Sequence, residues 1–413
     1  MNIIKKGSFI FLIAFLLRII ASFFFGDKMI DMEFHVLVTN FMNGHGFSYW
    51  AVSADGSMAY EVIDGASKYL PSAYMPVLYP LFLATISSFI GYTESSVFII
   101  LIIQSLMGAF SCLLIKDLYE LKFDKKNSYL TAWLAAFFPL HILMSSQTSA
   151  SNLYVFLIIC VLYSYHLLIK NNSEKTALAL GLFLGLLTLA RADAILLIPA
   201  IFILLTFFHK KIHMKNRLFI VLFSFLTIMP YSARNYHHFD FIYPLTVSGG
   251  FNLWVGNNEN ATGSNYSGQN IRSKEMIDKI NLLKKDNMYE KNWDEIHKEE
   301  AILYMKENPL RVVQLSIKKV IFFWVHIYDK SVKYPGLNHI LYWGPWIAML
   351  PFFILSLPLV VKNYRRNELE IFMILYFTFV YSVFFVLPRY RLIVFPIYLL
   401  FSFYYINRKL PEY

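Results

Sequence analysis

The chain has 413 residues, of which 57% are hydrophobic and 15% are charged, and its mean hydropathy is +0.50. This composition excludes an ordinary soluble protein, because repeated apolar runs of about 17–23 residues are typical of transmembrane helices. We therefore predict an all-α, polytopic membrane protein. The net charge of +10 does not indicate nucleic-acid binding, since Lys and Arg in cytoplasmic loops account for it.

Twelve apolar runs follow one another along the chain, at 7–26, 74–92, 96–116, 128–145, 152–169, 176–190, 193–208, 218–232, 311–327, 339–361, 368–387 and 391–406. Lys5 and Lys6 precede the first run, which places the amino terminus in the cytoplasm. All basic loops then fall inside only if 74–116 crosses once and 311–327 does not cross. Lys318 and Lys319 in the middle of 311–327 favour an interfacial helix there. We predict about ten spans and two surface helices, with twelve spans as the alternative.

This topology brings four polar segments to the same outer membrane face. They are the loop 27–73, the step 191–193, the long loop 233–310 and the short loop 388–391. We accordingly divide the chain into three parts. Residues 1–232 form a transmembrane region that includes loop 27–73, residues 233–310 form an external region of mixed short helices, and residues 311–413 form the interfacial helix and the last spans.

An acidic pair, Asp31 and Glu33, follows the first span directly. Carboxylates beside hydrocarbon are costly and often mark a working site. Positions two apart point in nearly opposite directions on a helix, so the pair is not a side-by-side acid and base. A single general base suffices when the leaving group is a phosphate, because only the acceptor proton must be removed. The alternative is a solvated helix start with Asp31 as its N-cap.

Arginines recur on the outer face. Arg191 stands next to Asp193 between two apolar runs, and Arg389 and Arg391 flank Tyr390 in a loop of a few residues. A guanidinium is a permanent, planar charge that suits a phosphate. The alternatives are a local Arg191–Asp193 pair at a helix end and interfacial anchoring by Arg389 and Arg391.

Metal binding has little support in the sequence. His237 and His238 follow Arg234, but adjacent residues rarely share one metal and no third ligand lies at the usual spacing. Cys112 and Cys160 both lie inside apolar runs, as small core residues do. We expect no required cofactor, and a divalent metal is an alternative that the ligand spacing does not support.

The chain resembles the GT-C-fold membrane glycosyltransferases of family 39. These are the bacterial relatives of the dolichyl-phosphate-mannose protein mannosyltransferases and of the aminoarabinose lipid A transferase. Five motifs in order carry the resemblance. They are 31–34 with 43–47, 76–83, 190–193, 234–236 with 248–258, and 389–391 with Pro396. Val77-Leu78 and Ala192 depart from the usual forms of the second and third motifs.

The resemblance implies an inverting transferase that takes a sugar from a polyprenyl-phosphate donor on the non-cytoplasmic face of a bacterial inner membrane. It implies Asp31 as the catalytic base. It also implies a substrate-binding set of Glu33, Arg191, Asp193, Arg234, Asn235, Asn257, Asn258, Arg389 and Arg391, in which the arginines hold the lipid phosphate. The expected partners are the lipid-linked donor, membrane lipids and a glycan, lipid or protein acceptor.

Two other readings remain open from the sequence. A transporter or flippase for a lipid-linked glycan would place charges at the bilayer midplane and often contains inverted repeats. Only Arg18 lies clearly inside a span, where it either lines the site or meets an acidic partner. A polysaccharide polymerase or ligase of related fold would differ in its leaving group. The sequence does not identify the sugar or the acceptor.

Overall fold

The computed structural model of the protein describes residues 6–59, 66–123, 125, 127–240, 245–263, 272–325 and 337–409. These residues form seventeen α-helices and one small sheet. The helices are α1 Gly7–Phe25, α2 Met32–Met42, α3 Leu78–Ile90, α4 Glu94–Lys122, α5 Ser128–Phe137, α6 Pro139–Leu143, α7 Ser151–Asn171, α8 Glu174–Ala190, α9 Leu197–Phe208, α10 Met214–Phe239, α11 Gly249–Gly256, α12 Lys274–Asn281, α13 Tyr289–Glu307, α14 Pro309–Trp324, α15 Leu337–Lys362, α16 Glu368–Val383 and α17 Phe395–Lys409. Short 3-10 helices lie at Met144–Ser146, Ala192–Leu196, Tyr364–Arg366 and Pro388–Val394.

Six described helical segments are long and apolar enough to cross a membrane, which makes this an integral membrane protein. They are Gly7–Phe25, Glu94–Lys122, Ser151–Asn171, Met214–Phe239, Trp343–Lys362 and Arg389–Arg408, and α5 with α6 adds a seventh if this pair, bent by 59°, is one span. The predicted all-α membrane bundle is confirmed. The count from sequence is higher because the apolar runs at 176–190, 193–208 and 368–387 form helices of only 17, 12 and 16 residues.

Buried charged groups connect four helices at one end of the bundle. Glu370 Oε1 at the start of α16 lies 2.8 Å from Lys122 Nζ on α4 and 2.7 Å from His166 Nε2 on α7. Glu368 lies 2.6 Å from His209, which directly follows α9. Since α7 is 21 residues long, this end is roughly 30 Å from the other end of the bundle.

Arg18 lies inside the bundle in contact with a broken helix. It is fully buried, and its Nη2 lies 2.9 Å from His141 Nδ1. Nη2 also donates to the Ala135 carbonyl oxygen and Nη1 to the Ala136 carbonyl oxygen, each at 3.5 Å. Those carbonyls belong to the last turn of α5, where Pro139 interrupts the helix and has no N–H to offer. Arg18 therefore stabilises a helix end instead of lining a site or meeting an acidic side chain.

The loop 27–73 contains a three-stranded antiparallel sheet that the sequence analysis did not predict. The strand order is β2-β1-β3, with β1 Ser48–Val52, β2 Met58–Ala59 and β3 Lys68–Pro71. The register shifts between Ser48 and Trp50, so β1 carries a bulge against β3. A bulge changes the direction in which neighbouring side chains point, and Tyr49 and Trp50 both face the same cavity as a result.

The external region after α10 is organised around α11 and α13. Asp294 on α13 accepts hydrogen bonds from the backbone N–H groups of Gly250 (3.0 Å) and Phe251 (2.8 Å), which caps the start of α11. A Cβ on Gly250 would lie 2.2 Å from the Asp294 carbonyl oxygen. Only glycine permits this close approach of the two helices.

The segment predicted as an interfacial helix forms α14. Lys318 is exposed, whereas Lys319 is buried and donates hydrogen bonds to Asn257 Oδ1 (3.2 Å) and to the Val383 carbonyl oxygen (2.9 Å). These contacts fix α14 against the end of α16.

Candidate functional site

A cavity of about 750 Å³ lies where four polar segments of the chain meet. This volume is within the range of roughly 300–1,000 Å³ that holds drug-sized ligands. Its wall takes residues from the sheet of loop 27–73, from the start of α7, from the step after α8, from α11 and α13, and from the end of α16 with the 3-10 helix that follows. The polar and aromatic residues of the wall include Tyr49, Trp50, Tyr74, Tyr79, Ser149, Ser151, Tyr154, Arg191, Asp193, Glu290, Trp293, Tyr376, Tyr381, Arg389 and Tyr390.

Arg191 and Asp193 form a bidentate ion pair in this wall. Arg191 Nε donates to Asp193 Oδ1 at 3.1 Å, and Nη2 donates to Oδ2 at 2.7 Å. The side chains are 16% and 19% exposed, so the pair is mostly shielded from water. The helix α8 ends at Ala190, and the 3-10 turn that starts at Ala192 brings the two side chains to the same side. The local pair expected as an alternative reading is present, and it lies in the cavity.

Tyrosines surround this ion pair. The Arg191 guanidinium lies 4.9 Å from the ring centre of Tyr154, 5.2 Å from that of Tyr390 and 5.6 Å from that of Tyr381. The Tyr381 hydroxyl also accepts from Arg191 and donates to Asp193 Oδ2 at 2.9 Å. Cation–π contacts of this kind hold a guanidinium in place without neutralising its charge. Tyr390 was already noted between Arg389 and Arg391, but the sequence does not single out Tyr154 and Tyr381, because tyrosines occur throughout the chain.

Arg389 and Arg391 lie on different sides of one 3-10 helix. Arg389 lines the cavity, and its carbonyl oxygen accepts from the Tyr154 hydroxyl at 2.9 Å. Arg391 is 1% exposed, lies 3.9 Å from the ring centre of Trp343 and donates to the Phe322 carbonyl oxygen at 3.1 Å. The structure therefore brings Arg389, but not Arg391, to the cavity together with Arg191.

Asp31 is exposed next to the cavity, and it is not among the residues that form its wall. Its carbonyl oxygen accepts the first hydrogen bonds of α2, from the N–H groups of Phe34 and His35. Its own N–H donates to Thr148 Oγ1 at 3.0 Å. Phe34, in the first turn of α2, and Ser149, which follows Thr148, both line the cavity. Asp31 is thus at the rim; the side chain of Glu33 lies outside the described part of the structure.

Arg234 and Asn235 support the cavity from behind. Arg234 Nη1 donates to the Ser72 carbonyl oxygen at 2.7 Å, and Nη2 donates to that of Phe47 at 3.2 Å. Buried Asn235 donates to the Leu245 carbonyl oxygen at 3.3 Å. Neither residue is part of the cavity wall described above. Arg234 instead connects the end of α10 to both flanks of the sheet.

Asn257 and Asn258 lie behind the wall and hydrogen-bond to the backbone. Asn257 Nδ2 donates to the carbonyl oxygens of Leu253 (2.9 Å) and Val383 (2.8 Å). Asn258 Nδ2 donates to the Trp254 carbonyl oxygen at 2.8 Å. These contacts terminate α11 and join it to the end of α16. The structure does not bring these two asparagines to the cavity.

Glu290 is a wall residue that sequence reasoning missed. It is 4% exposed, and its Oε2 accepts from the Ala73 N–H at 3.0 Å. Burial raises the pKa of Glu290 from 4.5 to about 7. It was missed because the charged, amphipathic sequence around it predicts a solvated helix, whereas α11 and loop 27–73 cover this face of α13.

Within the described residues no group of three or more His, Cys, Asp or Glu is arranged to hold a metal ion. His237 and His238, the pair considered in the sequence, have ring centres 5.4 Å apart at the end of α10.

Comparisons with known proteins fit this architecture. Residues 75–233 match the family model described as dolichyl-phosphate-mannose-protein mannosyltransferase. A search of curated proteins gave no significant match.

Solved structures of an archaeal oligosaccharyltransferase share the fold. The chain is 12% identical to the oligosaccharyltransferase of Archaeoglobus fulgidus tethered with an acceptor peptide, with a TM-score of 0.56 over 98% of this chain and 50% of that one. For the same archaeal enzyme with an inhibitory peptide and a dolichol-phosphate, the identity is 12% and the TM-score 0.57, over 97% of this chain and 50% of that one. The chain thus spans about half the length of these proteins. ArnT of Cupriavidus metallidurans bound to undecaprenyl phosphate is 11% identical, with a TM-score of 0.40 over 97% of this chain and 77% of that one.

The resemblance predicted from the motifs is confirmed: the chain has the GT-C fold of membrane glycosyltransferases, and residues 75–233 match the dolichyl-phosphate-mannose-protein mannosyltransferase family.

Proposed function

We propose that the protein is an inverting glycosyltransferase that moves a sugar from a polyprenyl-phosphate donor to an acceptor hydroxyl at the non-cytoplasmic membrane face. The observation that carries the proposal is the cavity in which Arg191 and Arg389, nearly 200 residues apart in the chain, face the same space. Two permanent cations beside a membrane bundle suit a phosphate on a lipid chain. The dolichol-phosphate bound by the archaeal oligosaccharyltransferase of the same fold supports this class of donor.

The reaction breaks the bond between the anomeric carbon and the phosphate oxygen, and that oxygen keeps the electron pair. A new bond forms between the anomeric carbon and the acceptor oxygen, from the opposite side of the ring. The acceptor loses its proton, and the lipid phosphate leaves with an additional negative charge. Arg191 and Arg389 would stabilise this growing charge, which is the interaction that accelerates the step most directly.

Asp31 is the proposed base for the acceptor proton. Its position at the rim leaves it accessible to an acceptor that arrives from outside the bilayer. Asp27 supports this loop: its Oδ2 accepts from the Thr148 N–H at 2.7 Å and from Thr148 Oγ1 at 3.0 Å. Thr148 in turn accepts from the Asp31 N–H. These contacts fix the loop against the segment that continues into the cavity wall.

The charge distribution supports the external face. The helices α7 and α8 have their cavity ends at Ser151 and Ala190, so the loop between them lies at the far end. The loop 209–217 that follows α9 lies at this far end too, because His209 contacts Glu368 there. Lys and Arg cluster in this loop and in 362–366. Cytoplasmic loops carry such clusters, which favours a cavity that opens outward.

The proposal is tested with the purified full chain in detergent, incubated with polyprenyl-phosphate sugars and with membranes of the host as the acceptor source. We expect loss of the sugar lipid and release of free polyprenyl phosphate. In parallel, the protein is reconstituted in vesicles that carry the sugar lipid in one leaflet. Movement of intact sugar lipid between leaflets without any released lipid phosphate would overturn the proposal and favour a transporter.

The donor sugar and the acceptor define the finer specificity. A hydroxyl of a glycan, a lipid or a protein is the class of acceptor that a single general base can activate. Comparison of the glycans and lipids of a deletion strain with those of the parent, by mass spectrometry, is the measurement that names both substrates.

A further inference from the structure

One part of the cavity wall has a different chemical character from the cationic part around Arg191. Glu290 is 4% exposed and lines the cavity. Its Oε2 accepts from the Ala73 N–H and the Ser72 side chain also interacts with the carboxyl group, whereas Oε1 has no hydrogen-bond partner among the described residues. Buried polar atoms are nearly always hydrogen-bonded, and an exception in a cavity calls for a ligand or another explanation.

Aromatic rings line the same cavity as this carboxyl group. Trp293 lies one turn after Glu290 on α13; its ring centre is 4.9 Å from that of Phe251 and 6.2 Å from that of Tyr74. Trp50 of the bulged strand lies 5.5 Å from Tyr289. Trp50, Tyr74, Phe251 and Trp293 all face the cavity. Flat rings beside a few polar groups fit a ligand with an apolar face and hydroxyl groups at its edge.

The protonation behaviour of Glu290 agrees with such a ligand. With its pKa raised to about 7, the group is largely a neutral acid just below neutral pH, and a neutral carboxyl group both donates and accepts hydrogen bonds. A hydroxyl group also both donates and accepts hydrogen bonds, so it can pair with either form of this group. A phosphate group would be repelled by the ionised form that Glu290 takes up above about pH 7.

A second layer of contacts holds the aromatic wall in place. Arg272 Nε donates to His297 Nε2 at 3.1 Å, so His297 Nδ1 carries the proton that it donates to the Trp293 carbonyl oxygen at 2.7 Å. The Arg272 guanidinium lies 5.9 Å from the Trp293 ring centre and 5.4 Å from that of Trp254. Burial lowers the pKa of His297 to about 4, so this network keeps one protonation state at neutral pH.

We propose that Glu290, Trp293, Tyr74, Phe251 and Trp50 form a sugar subsite, in which the ring of the donor sugar packs on the aromatic side chains and Glu290 Oε1 hydrogen-bonds one of its hydroxyl groups. The inference rests on the proposed function, because it assumes a lipid-linked sugar in this cavity. It assigns separate binding roles to two parts of the wall: the part with Arg191 and Arg389 binds the phosphate, and the part with Glu290 binds the sugar.

The test measures binding of the full chain in detergent to undecaprenyl phosphate and to the same lipid carrying glucose, mannose, N-acetylglucosamine or 4-amino-arabinose. The variants are Glu290→Gln, which keeps an oxygen for the Ala73 N–H, and Trp293→Leu. The matched control is Glu295→Gln, because Glu295 lies on the same helix, is exposed and pairs with Lys298 at 2.9 Å. The melting temperature of each variant is measured alongside.

We expect at least one sugar lipid to bind the wild type more tightly than undecaprenyl phosphate does. Glu290→Gln and Trp293→Leu should each lower the affinity for that sugar lipid roughly tenfold, the usual effect of losing one good buried interaction. Both should leave the affinity for undecaprenyl phosphate within about twofold, and Glu295→Gln should change neither affinity.

Three outcomes would overturn the inference. If no sugar lipid binds more tightly than undecaprenyl phosphate, the cavity has no sugar subsite. If the variants lower the affinities for the sugar lipid and for undecaprenyl phosphate equally, Glu290 and Trp293 only maintain the shape of the cavity. If the wild type binds none of the lipids, the proposed function itself fails. Should Glu290→Gln not fold, the wild type still decides the first outcome and Trp293→Leu alone decides the second.

Discussion

Arg191 and Asp193 form a bidentate ion pair inside the cavity, with N–O distances of 3.1 and 2.7 Å. The carboxylate orients the guanidinium through Nε and Nη2, and within the described part of the chain Nη1 makes no hydrogen bond. The tyrosines 154, 381 and 390 hold the same guanidinium by their ring faces. A preorganised arginine of this kind can meet a phosphate without rearranging.

Arg191→Lys is expected to impair transfer although it keeps the charge. Lysine lacks the planar fork that pairs with Asp193 and stacks on the tyrosines. We expect kcat/KM for the lipid donor to fall by roughly 10- to 100-fold, the effect of losing charge-assisted hydrogen bonds of about 1.5–3 kcal/mol. Initial rates of lipid phosphate release measure it, with the exposed Arg365→Lys at the far end as control. Equal rates for both variants would contradict a role for the planar guanidinium of Arg191 in transfer.

Asp31→Asn is expected to remove most of the activity while the protein inserts into the membrane normally. The amide cannot take the acceptor proton, and loss of a general base costs about 10²- to 10⁴-fold in rate. Asp55→Asn is the control, because Asp55 lies in the exposed turn of the same loop and bonds only within it, to Ser57, among its described contacts. Wild-type turnover by the Asp31→Asn protein would refute the assignment of the base.

Gly250→Ala is expected to destabilise the external region. The new Cβ would lie 2.2 Å from the Asp294 carbonyl oxygen, so α11 and α13 must separate. Overpacking of this kind costs about 1–3 kcal/mol. At neighbouring Gly249 a Cβ would meet nothing within 4 Å, so Gly249→Ala is a matched control that should melt like the wild type. A Gly250→Ala protein as stable as Gly249→Ala would mean that the two helices are not in close contact.

Glu290 is expected to make stability depend on pH. Its pKa is raised from 4.5 to about 7 in the folded protein, so the folded state binds the proton more tightly than the unfolded state does. Its contribution is therefore fully present below about pH 4.5, decreases as the pH rises, and is lost above about pH 7, with a total on the order of 3 kcal/mol.

Unfolding in detergent between pH 5 and 8 measures this effect. Glu290→Gln should flatten that part of the stability profile, and the exposed Glu295→Gln should leave it unchanged. An unaltered slope in Glu290→Gln would contradict a carboxyl group that is buried and mainly neutral.

The sequence predicted which segments meet, because hydropathy and basic loops determine on which side of a membrane each loop lies. Arg191, Asp193 and Arg389 share one cavity as that topology requires. The supporting role of Arg234 could not be predicted, because its partners are the carbonyl oxygens of Phe47 and Ser72. Every residue has a backbone carbonyl, so the sequence does not show which ones a side chain contacts. Arg391 was not separable from Arg389 for a similar reason, since a 3-10 helix turns the two side chains apart.

Short elements escaped prediction for a different reason. The strands of loop 27–73 have five, two and four residues, too few for an alternating pattern to stand out, and a bulge disturbs the longest one. Glu290 was not predicted, because it lies in a charged helix and its burial by α11 and Ala73 depends on packing between segments that are distant in the sequence. Both omissions concern the sugar subsite proposed above.

The most direct test of the account is photocrosslinking with a polyprenyl phosphate that carries a diazirine next to the phosphate, followed by mapping of the adducts by mass spectrometry. The account predicts adducts on the cavity segments 149–154, 190–196 and 376–390, and their loss on competition with unmodified polyprenyl phosphate. Competable adducts confined to the far end of the bundle, around Lys122, His209 and Glu370, would contradict it.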